Sequence, residues 1–291
     1  MTPLKKPLTL LLALLLLAAL PAAASGSGAE IEDLVQDGEN SYSCRFDGTT
    51  RRFLVYLPEC PEGSGLILML HGYGGSAQSF RLDTGLEQTA VAQGYTVVYV
   101  TGSPDPAVRT SSNGWRYESG SSDVAFLTAL AEAIRREFGT AEDRVFAAGF
   151  SNGAFMIHCL AAEAGDTFSA LVSVAGTMAE SVWNNRPESC RVSLLQITGE
   201  KDEVIPKHSD GSARFAKSPA IEDLIAYYAE GLDICETVPI GRNSVLTKYT
   251  DSAADRQVWH LLVKDGRHSW SSERFTGIDT NSLILEFLGT Q

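Results

Sequence analysis

The chain has 291 residues, of which 36 are acidic and 23 basic, so its formal net charge at neutral pH is −13. This acidic balance disfavours nucleic acid and anionic membrane surfaces as partners. Hydrophobic residues make up 44% of the chain, which is enough for one sizeable globular core.

Residues 1–24 have the pattern of a secretory signal peptide. A basic start precedes an apolar run over residues 8–20, and three alanines at residues 22–24 suit a signal-peptidase cut. The apolar run is shorter than the ~20 residues that span a bilayer, and it ends at Pro21. We therefore expect an exported monomer, periplasmic or extracellular, without a membrane anchor and with one domain over residues 25–291.

Cysteine usage fits an oxidising compartment. The chain has five cysteines, which permit at most two disulfides and leave one thiol over. No two of them have the close spacing of zinc ligands, so we expect no metal site. They are Cys44, Cys60, Cys159, Cys190 and Cys235.

The first part of the mature chain predicts a β-hairpin, because residues 42–46 and 52–57 alternate in polarity around the turn Asp47-Gly48. Continuous apolar runs then predict strands that are buried on both faces. These runs lie at residues 66–70, 96–100, 145–148, 170–174 and 192–197.

Helical patterns alternate with these runs. The clearest covers residues 124–138, where apolar residues are spaced for one helix face and Ser122 or Asp123 is placed to cap the start. The regular alternation predicts an α/β fold with a mostly parallel central sheet and helices on both faces. The remaining predicted elements are helices near residues 154–162, 220–229 and 281–288 and strands near residues 245–249 and 258–263.

The sequence Gly149-Phe150-Ser151-Asn152-Gly153 stands between a predicted strand and a predicted helix. A strand that turns sharply into a helix at one strained residue leaves no room for side chains two positions before and after it. This context is typical of a nucleophile elbow and predicts that Ser151 is an attacking serine.

A serine nucleophile needs a base that is itself held by an acid, and in α/β sheets such groups follow the carboxyl ends of strands. Asp202 follows the run at residues 192–197, and His268 follows the predicted strand at residues 258–263. The chain order Ser, Asp, His is that of α/β-hydrolases. Ser151, Asp202 and His268 are therefore the candidate catalytic residues.

Other residues stay open for these roles. His208 lies in a loop near Asp202 and is the main alternative base, whereas His71, His158 and His260 fit less well. Glu203, Asp210 and Asp233 are the alternative acids.

A glycine-rich loop, His71-Gly72-Tyr73-Gly74-Gly75, follows the first predicted parallel strand. Such a loop lets main-chain N–H groups approach a substrate oxygen, so the backbone amides of Tyr73 and Asn152 are the expected oxyanion donors. The alternative interpretation is an ordinary strand-to-helix turn.

Taken together, these motifs resemble the secreted feruloyl esterases and polyhydroxybutyrate-depolymerase-like esterases, a group that overlaps carbohydrate esterase family one. The resemblance extends from about residue 52 to the C-terminus. It implies an α/β-hydrolase fold, an ester substrate and no cofactor. The motifs that carry it are residues 71–76, 123–126 and 144–153, Asp202 with residues 204–206, and residues 266–270.

Two departures from the group concern Ala154 and Arg267, where the group commonly has glycine. The group also pairs two cysteines that correspond to Cys159 and Cys190, which implies a disulfide between them. Cys235 lacks the downstream partner that is usual in the group, so it is either free or bonded to Cys44 or Cys60.

Aromatic residues are the candidates for substrate contact, because flat rings stack on a phenolic acyl group. We expect Trp270, Trp115 and His71 to contact the substrate. Further candidates are Tyr73, Tyr117 and Trp183. For most of these residues the alternative is that the ring packs in the core. Feruloyl esters on plant polysaccharide are the first expected substrate. Hydroxyalkanoate polyesters and acetylated xylan are the alternative substrates. The alternative function without catalysis is an exported binding protein on an inactive hydrolase scaffold.

Overall fold

The computed structural model describes residues 30–104, 112–207, 217–252 and 256–291. The expected signal segment and the alternative site residues His208 and Asp210 lie outside the described residues.

Thirteen strands are formed by the described residues. They are β1 (Glu32–Gln36), β2 (Ser41–Phe46), β3 (Thr49–Tyr56), β4 (Gly65–Leu70), β5 (Tyr95–Val100), β6 (Ser103–Pro104), β7 (Asn113–Gly114), β8 (Val145–Phe150), β9 (Ala170–Val174), β10 (Ser193–Gly199), β11 (Ile234–Ile240), β12 (Ser244–Thr250) and β13 (Gln257–Val263).

The helices over the same residues are α1 (Ala77–Thr84), α2 (Glu87–Ala90), α3 (Ser122–Phe138), α4 (Asn152–Glu163), α5 (Glu180–Asn185), α6 (Ile221–Tyr228), α7 (Glu273–Thr276) and α8 (Thr280–Leu288).

Eleven of these strands form one sheet in the order β1-β2-β3-β5-β4-β8-β9-β10-β13-β12-β11. The six central strands, from β5 to β13, are parallel, and the strands at both margins are antiparallel. This arrangement confirms the predicted mostly parallel α/β sheet in a single domain. Strands β8, β10 and β13 all end at the same edge of the sheet, so the loops that follow them meet there.

The core has two layers, one on each face of the sheet. Helices α3, α4 and α6 pack on one face, where Phe126, Met156 and Tyr228 are fully buried. Helices α1 and α8 pack on the other, where Phe80 and Ile284 are buried. The central strands are buried on both faces, which explains why their sequences are continuously apolar.

The structure confirms the opening hairpin and corrects two details. Asp47 and Gly48 both have positive φ, as the tight turn between β2 and β3 requires. The cap of α3 is Ser121, whose side chain accepts a hydrogen bond from the Asp123 amide, rather than Ser122 or Asp123. Edge strands β1 and β11 are additional elements, and both are too exposed to carry an apolar pattern.

The cysteines differ from the expectation. All five are free thiols, so the structure does not contain the Cys159–Cys190 disulfide that the resemblance implies. Both of these thiols are buried, and Cys159 Sγ points to the carbonyl oxygen of Tyr117 at 3.0 Å. Cys60 and Cys235 are exposed.

Candidate active site

Ser151 stands at the strained turn between β8 and α4, with φ 53° and ψ −115°. A Cβ atom on Gly149 would lie 2.3 Å from the carbonyl oxygen of Gly153, and one on Gly153 would lie 2.2 Å from that of Leu70. Only glycine fits at either position, which is the steric requirement that the sequence pattern predicts. The turn places Ser151 at the N-terminus of α4, where the helix dipole favours negative charge.

Folding brings Ser151, His268 and Asp202 into one line of hydrogen bonds. His268 Nε2 lies 2.8 Å from Ser151 Oγ, and His268 Nδ1 lies 2.8 Å from Asp202 Oδ2. The other oxygen of Asp202 accepts hydrogen bonds from the backbone amides of Val204 and Ile205, at 2.9 and 2.8 Å. The Asp202 side chain is 1% exposed and that of His268 is 18% exposed, so the carboxylate is shielded while the imidazole is partly accessible to solvent.

The loops that carry the acid and the base are joined at the protein surface. Glu200 pairs with Lys264 at 2.7 Å, and Lys201 pairs with Asp265 at 2.5 Å. The backbone amides of Glu200 and Lys201 also donate to the carbonyl oxygens of Val263 and Gly266. The pair Glu200–Lys264 lowers the pKa of the Glu200 carboxyl, mainly through the lysine hydrogen bond, and raises that of Lys264.

The glycine-rich loop lies beside the serine. A Cβ atom on Gly72 would lie 3.2 Å from the Phe150 ring and 3.4 Å from Ser151 Cβ, so Gly72 lies next to the elbow. Tyr73 is 53% exposed, and its ring lies next to Gly114. Tyr73 follows Gly72 and Asn152 follows Ser151, so the two expected oxyanion donors belong to segments that lie next to the serine.

Comparison with known proteins adds the family. The serine hydrolase (FSH1) family matches residues 63–222, more than half of the chain. The chain belongs to this family.

Among relatives of this serine hydrolase, a protein described as an esterase, NocK of Nocardia uniformis subsp. tsuyamanensis, is 34% identical over 187 residues, 60% of this chain and 51% of that protein. Feruloyl esterase B of Thermothelomyces thermophilus is 25% identical over 194 residues, 62% of this chain and 62% of that protein. The chain therefore spans between about half and three fifths of the length of these relatives.

Among solved structures, the acetyl xylan esterase from Aspergillus awamori matches with a TM-score of 0.60 at 12% identity, over 89% of this chain and 99% of that one. This likeness shows the α/β-hydrolase fold. The family model adds that the chain is a serine hydrolase of this fold.

The other histidines that the structure describes are His71, His158 and His260, and all three are held in the interior. His158 is fully buried in α4, between the Tyr228 hydroxyl and the Ser173 hydroxyl, and burial lowers its pKa to about 3. His260 lies within β13, and burial lowers its pKa to about 4. The acids Glu203 and Asp233 are exposed, whereas the carboxylate that contacts the His268 imidazole is that of Asp202.

Two of the three residues expected to contact substrate are buried. His71 is 1% exposed, and its Nε2 atom accepts a hydrogen bond from the Gly102 amide while Nδ1 donates to the Gly72 carbonyl. Trp115 is 3% exposed, and its indole N–H donates to the carbonyl oxygen of His71. Both rings are therefore internal supports of the glycine-rich loop rather than walls of a cleft.

Trp270 is partly exposed, and its ring packs edge-on against Phe80 with centroids 5.4 Å apart. Its indole N–H donates to Asn281 Oδ1 at 3.0 Å, and Asn281 Nδ2 of the same side chain donates to the Thr84 carbonyl. Trp183 packs against Tyr227 on α6. Of the aromatic candidates, Tyr73 is thus the most exposed beside the serine.

The sequence reasoning missed several residues of this site. Phe150 stacks near His268 with ring centroids 5.1 Å apart, and Asn281 on the last helix anchors the loop of the base. Asn281 is 130 positions from Ser151 in the chain and has no local motif that would single it out. Within the described ranges, no group of three His, Cys, Asp or Glu side chains could hold a metal ion, and no helix is long and apolar enough to cross a membrane.

Proposed function

We propose that the chain is a carboxylesterase in which Ser151 is the nucleophile, His268 is the general base and Asp202 orients the base. The observation that carries the proposal is the pair of 2.8 Å contacts that joins the three side chains. A serine hydroxyl becomes a useful nucleophile only when a neighbouring base removes its proton as it attacks.

In the proposed mechanism, His268 Nε2 accepts the Ser151 proton while Oγ bonds to the ester carbonyl carbon. Asp202 Oδ2 accepts a hydrogen bond from the Nδ1–H group of His268, which fixes the tautomer and stabilises the imidazolium. The amides of Asn152 and Tyr73 stabilise the oxyanion of the tetrahedral intermediate. Its collapse expels the alcohol, which takes the proton from His268, and water then attacks the acyl-enzyme by the same route and releases the acid.

For the substrate, we propose esters carried by plant polysaccharide, with feruloyl as the first acyl group. The Tyr73 ring is exposed on the loop that lies next to Ser151, where it can stack on a flat phenolic acid. The similarity to feruloyl esterase B supports this choice. It also supports placing the chain with the feruloyl and depolymerase-like group within its family.

Acetyl is the second candidate for the acyl group. The burial of Trp115 and His71 removes two of the three expected aromatic contacts, so the cleft offers less ring surface than the sequence predicts. The similarity in fold to an acetyl xylan esterase supports the same choice. We further propose that the enzyme is exported, on the pattern of residues 1–24 alone.

The test uses purified protein and its Ser151→Ala variant on methyl ferulate, acetylated xylan and the p-nitrophenyl esters of acetate, butyrate and octanoate. We expect Ser151→Ala to lower kcat on the order of 10⁴-fold or more. Turnover retained by a folded Ser151→Ala protein would refute the assigned nucleophile. Preference for ferulate supports the first acyl group, preference for acetate the second, and preference for longer chains contradicts both in favour of a polyester.

A further inference from the structure

We infer that residues 113–116, here called the brace, hold the two oxyanion donors at a fixed separation, and that the side chains of Asn152 and Trp115 are the positioning groups that make this possible. The inference rests on the proposed function. It concerns the carboxamide of Asn152 rather than its backbone amide, and it gives Trp115 a role other than substrate contact.

The first observation is how Asn152 uses its side chain. Its Oδ1 atom accepts a hydrogen bond from the Trp115 amide at 2.7 Å, and its Nδ2 atom donates to the Trp115 carbonyl at 3.2 Å. Both polar ends of one carboxamide are therefore spent on the main chain of one residue. Asparagine is a poor helix former, yet it occupies the first position of α4 and is 8% exposed. The contact with the brace gives a physical reason for asparagine at this position.

The second observation is on the other side of the brace. The Trp115 indole donates to the His71 carbonyl at 2.9 Å, two residues before Tyr73. The Asn113 carbonyl accepts from the Gly74 amide at 2.8 Å, and the Asn113 side chain donates to the Gly75 carbonyl at 3.0 Å. The brace is thus bonded to the glycine-rich loop both before and after Tyr73.

The far end of the brace is also fixed. The Arg116 amide donates to Asp123 Oδ2 at 3.0 Å, and the other Asp123 oxygen is paired with Arg51 at 2.9 Å. Asp123 is fully buried at the start of α3. A carboxylate held in this way is costly to move, because any displacement would leave a buried charge without its partners.

These contacts connect the residues of the two oxyanion donors to each other. The Asn152 amide belongs to helix α4 and the Tyr73 amide to the loop after β4. Strands β4 and β8, which precede these two segments, are paired in the sheet, and the brace adds a second connection close to the donors. This second connection runs from the Asn152 side chain through Trp115 to His71 and so to Tyr73. A Cβ atom at Gly114 would lie 3.1 Å from the Tyr73 ring and 3.3 Å from Asn152 Oδ1, so a side chain there would crowd both residues.

Donors aimed at a developing oxyanion must be placed within about 0.5 Å to be effective. Loss of one donor costs about 10²–10³ in kcat, and a misplacement of about 1 Å can cost about 10². A brace that couples the donors therefore acts on the transition state, where the oxyanion exists, and much less on binding of the uncharged ester.

The experiment compares Trp115→Phe with Trp259→Phe. Both tryptophans are 3% exposed, and each donates one indole hydrogen bond, Trp259 to Gln257 Oε1 at 3.0 Å on the distant part of β13. Each substitution removes one buried N–H donor, so losses of stability should be comparable. The readouts are kcat and KM on p-nitrophenyl acetate and the rate of inactivation by diethyl p-nitrophenyl phosphate.

In that inactivation, Ser151 Oγ bonds to phosphorus, p-nitrophenolate leaves with the P–O bonding pair, and the serine proton goes to His268. The phosphoryl oxygen occupies the oxyanion site. We expect Trp115→Phe to lower both kcat and the inactivation rate about tenfold with KM within about twofold, because the donors are displaced and not deleted. Trp259→Phe should leave all three values unchanged.

Asn152→Ala serves as the second variant if Trp115→Phe does not fold, and we expect it to lower kcat about 10²-fold. Rates are normalised to active sites titrated by burst release, so unfolded protein does not count. Kinetics of Trp115→Phe equal to those of Trp259→Phe, a change confined to KM, or a retained kcat in Asn152→Ala would each overturn the inference. Activity retained by Ser151→Ala would instead overturn the proposed function.

Discussion

The two halves of the site are built in different ways. The oxyanion half, formed by residues 71–75, the brace and Asn152, is held by buried hydrogen bonds around buried rings and by the buried Asp123–Arg51 pair at the end of the brace. The acid–base half, formed by residues 199–205 and 263–270, is held at the surface by two ion pairs and by the contacts of Trp270. Buried hydrogen bonds keep their geometry when salt changes, whereas exposed ion pairs are screened.

The difference follows from what each half does. The oxyanion donors are main-chain groups that need to stay still, so they sit on elements that the core fixes. The imidazole exchanges protons with the reacting groups, so His268 lies in a loop that is partly exposed. We therefore expect single changes in the two halves to have different signatures, and the following experiments sharpen or break that contrast.

The largest effect is expected for Asp202→Asn in the acid–base half. The new side chain keeps the shape of Asp202, but the Val204 and Ile205 amides require its oxygen, so its NH2 group faces His268 Nδ1 and the tautomer that accepts the Ser151 proton is no longer favoured. We expect kcat to fall about 10⁴-fold. The measurement is kcat on p-nitrophenyl acetate beside the melting temperature.

Glu203→Gln is the matched control, because Glu203 is the adjacent, exposed carboxylate. It should retain the kcat of the parent protein. A large loss in Glu203→Gln together with a small one in Asp202→Asn would reassign the acid and break the description of this half.

The next effect is a loss of folding stability in acid, through His71 in the oxyanion half and His158 on helix α4. Burial lowers the pKa of His71, and the hydrogen bond to the Gly72 carbonyl opposes this effect only in part. Burial also lowers the pKa of His158, on the helix that begins at Asn152, to about 3. Unfolded histidine binds its proton near its ordinary pKa of about 6.5, so their stabilising contribution is complete above that pH. It is lost progressively as pH falls from there towards the folded-state values, by up to about 1.4 kcal/mol per pH unit for each group.

The check is the urea midpoint from pH 7.5 to 4.5 for the parent and for His158→Gln. Glutamine keeps a donor and an acceptor towards Tyr228 and Ser173 but takes no proton in this range. The variant should show a flatter dependence on pH. The same slope in both proteins would show that His158 is not held neutral.

The fold was predictable to a large extent because the strands that position the site are buried on both faces. Strands β4, β5, β8, β9 and β10 are continuous apolar runs, and a glycine-flanked serine marks the elbow. Strand β11 was not predictable, since both of its faces are largely exposed and its sequence shows no alternation.

Within the site, predictability depended on whether a residue follows a strand end. Asp202 and His268 do, and the structure brings both to Ser151. The partners of Trp115 and Trp270 could not be predicted, because an aromatic residue near a motif looks the same whether its ring lines a cleft or supports a loop. Burial decides between these roles, and burial depends on contacts between distant parts of the chain.

A moderate effect is expected for Asn281→Ala, which removes the hydrogen bond to Trp270 and the one to the Thr84 carbonyl. The Trp270 ring remains packed on Phe80, so the loop of His268 should loosen and not unfold. A neutral hydrogen bond contributes about 1 kcal/mol, which corresponds to a fall of about fivefold in kcat if the whole effect reaches the base.

Asn185→Ala is the control, since Nδ2 of the exposed Asn185 side chain donates to the Ser181 carbonyl on helix α5. Measured with both variants, inactivation by diethyl p-nitrophenyl phosphate should slow only in Asn281→Ala. If neither variant changes kcat, Trp270 does not position the base through Asn281, and the acid–base half depends on its ion pairs instead.

The smallest effect is expected for the ion pairs themselves. Glu200→Gln with Lys264→Met removes the pair that joins the loops of Asp202 and His268. Exposed pairs are weak, so kcat should change less than about threefold. The informative measurement is the salt dependence, because screening already weakens this pair in the parent protein. We expect a modest fall of kcat with sodium chloride in the parent and none in the double variant.

Glu132→Gln is the matched control, since it removes a surface pair with Arg135 of nearly the same length, 2.8 Å, on helix α3. It should leave the salt dependence of kcat as it is in the parent. Equal salt dependence in the parent and the double variant would mean that the backbone bonds from Glu200 and Lys201 hold these loops without help from charge. The acid–base half would then be built like the oxyanion half, and the contrast between the two would reduce to the exposure of the imidazole.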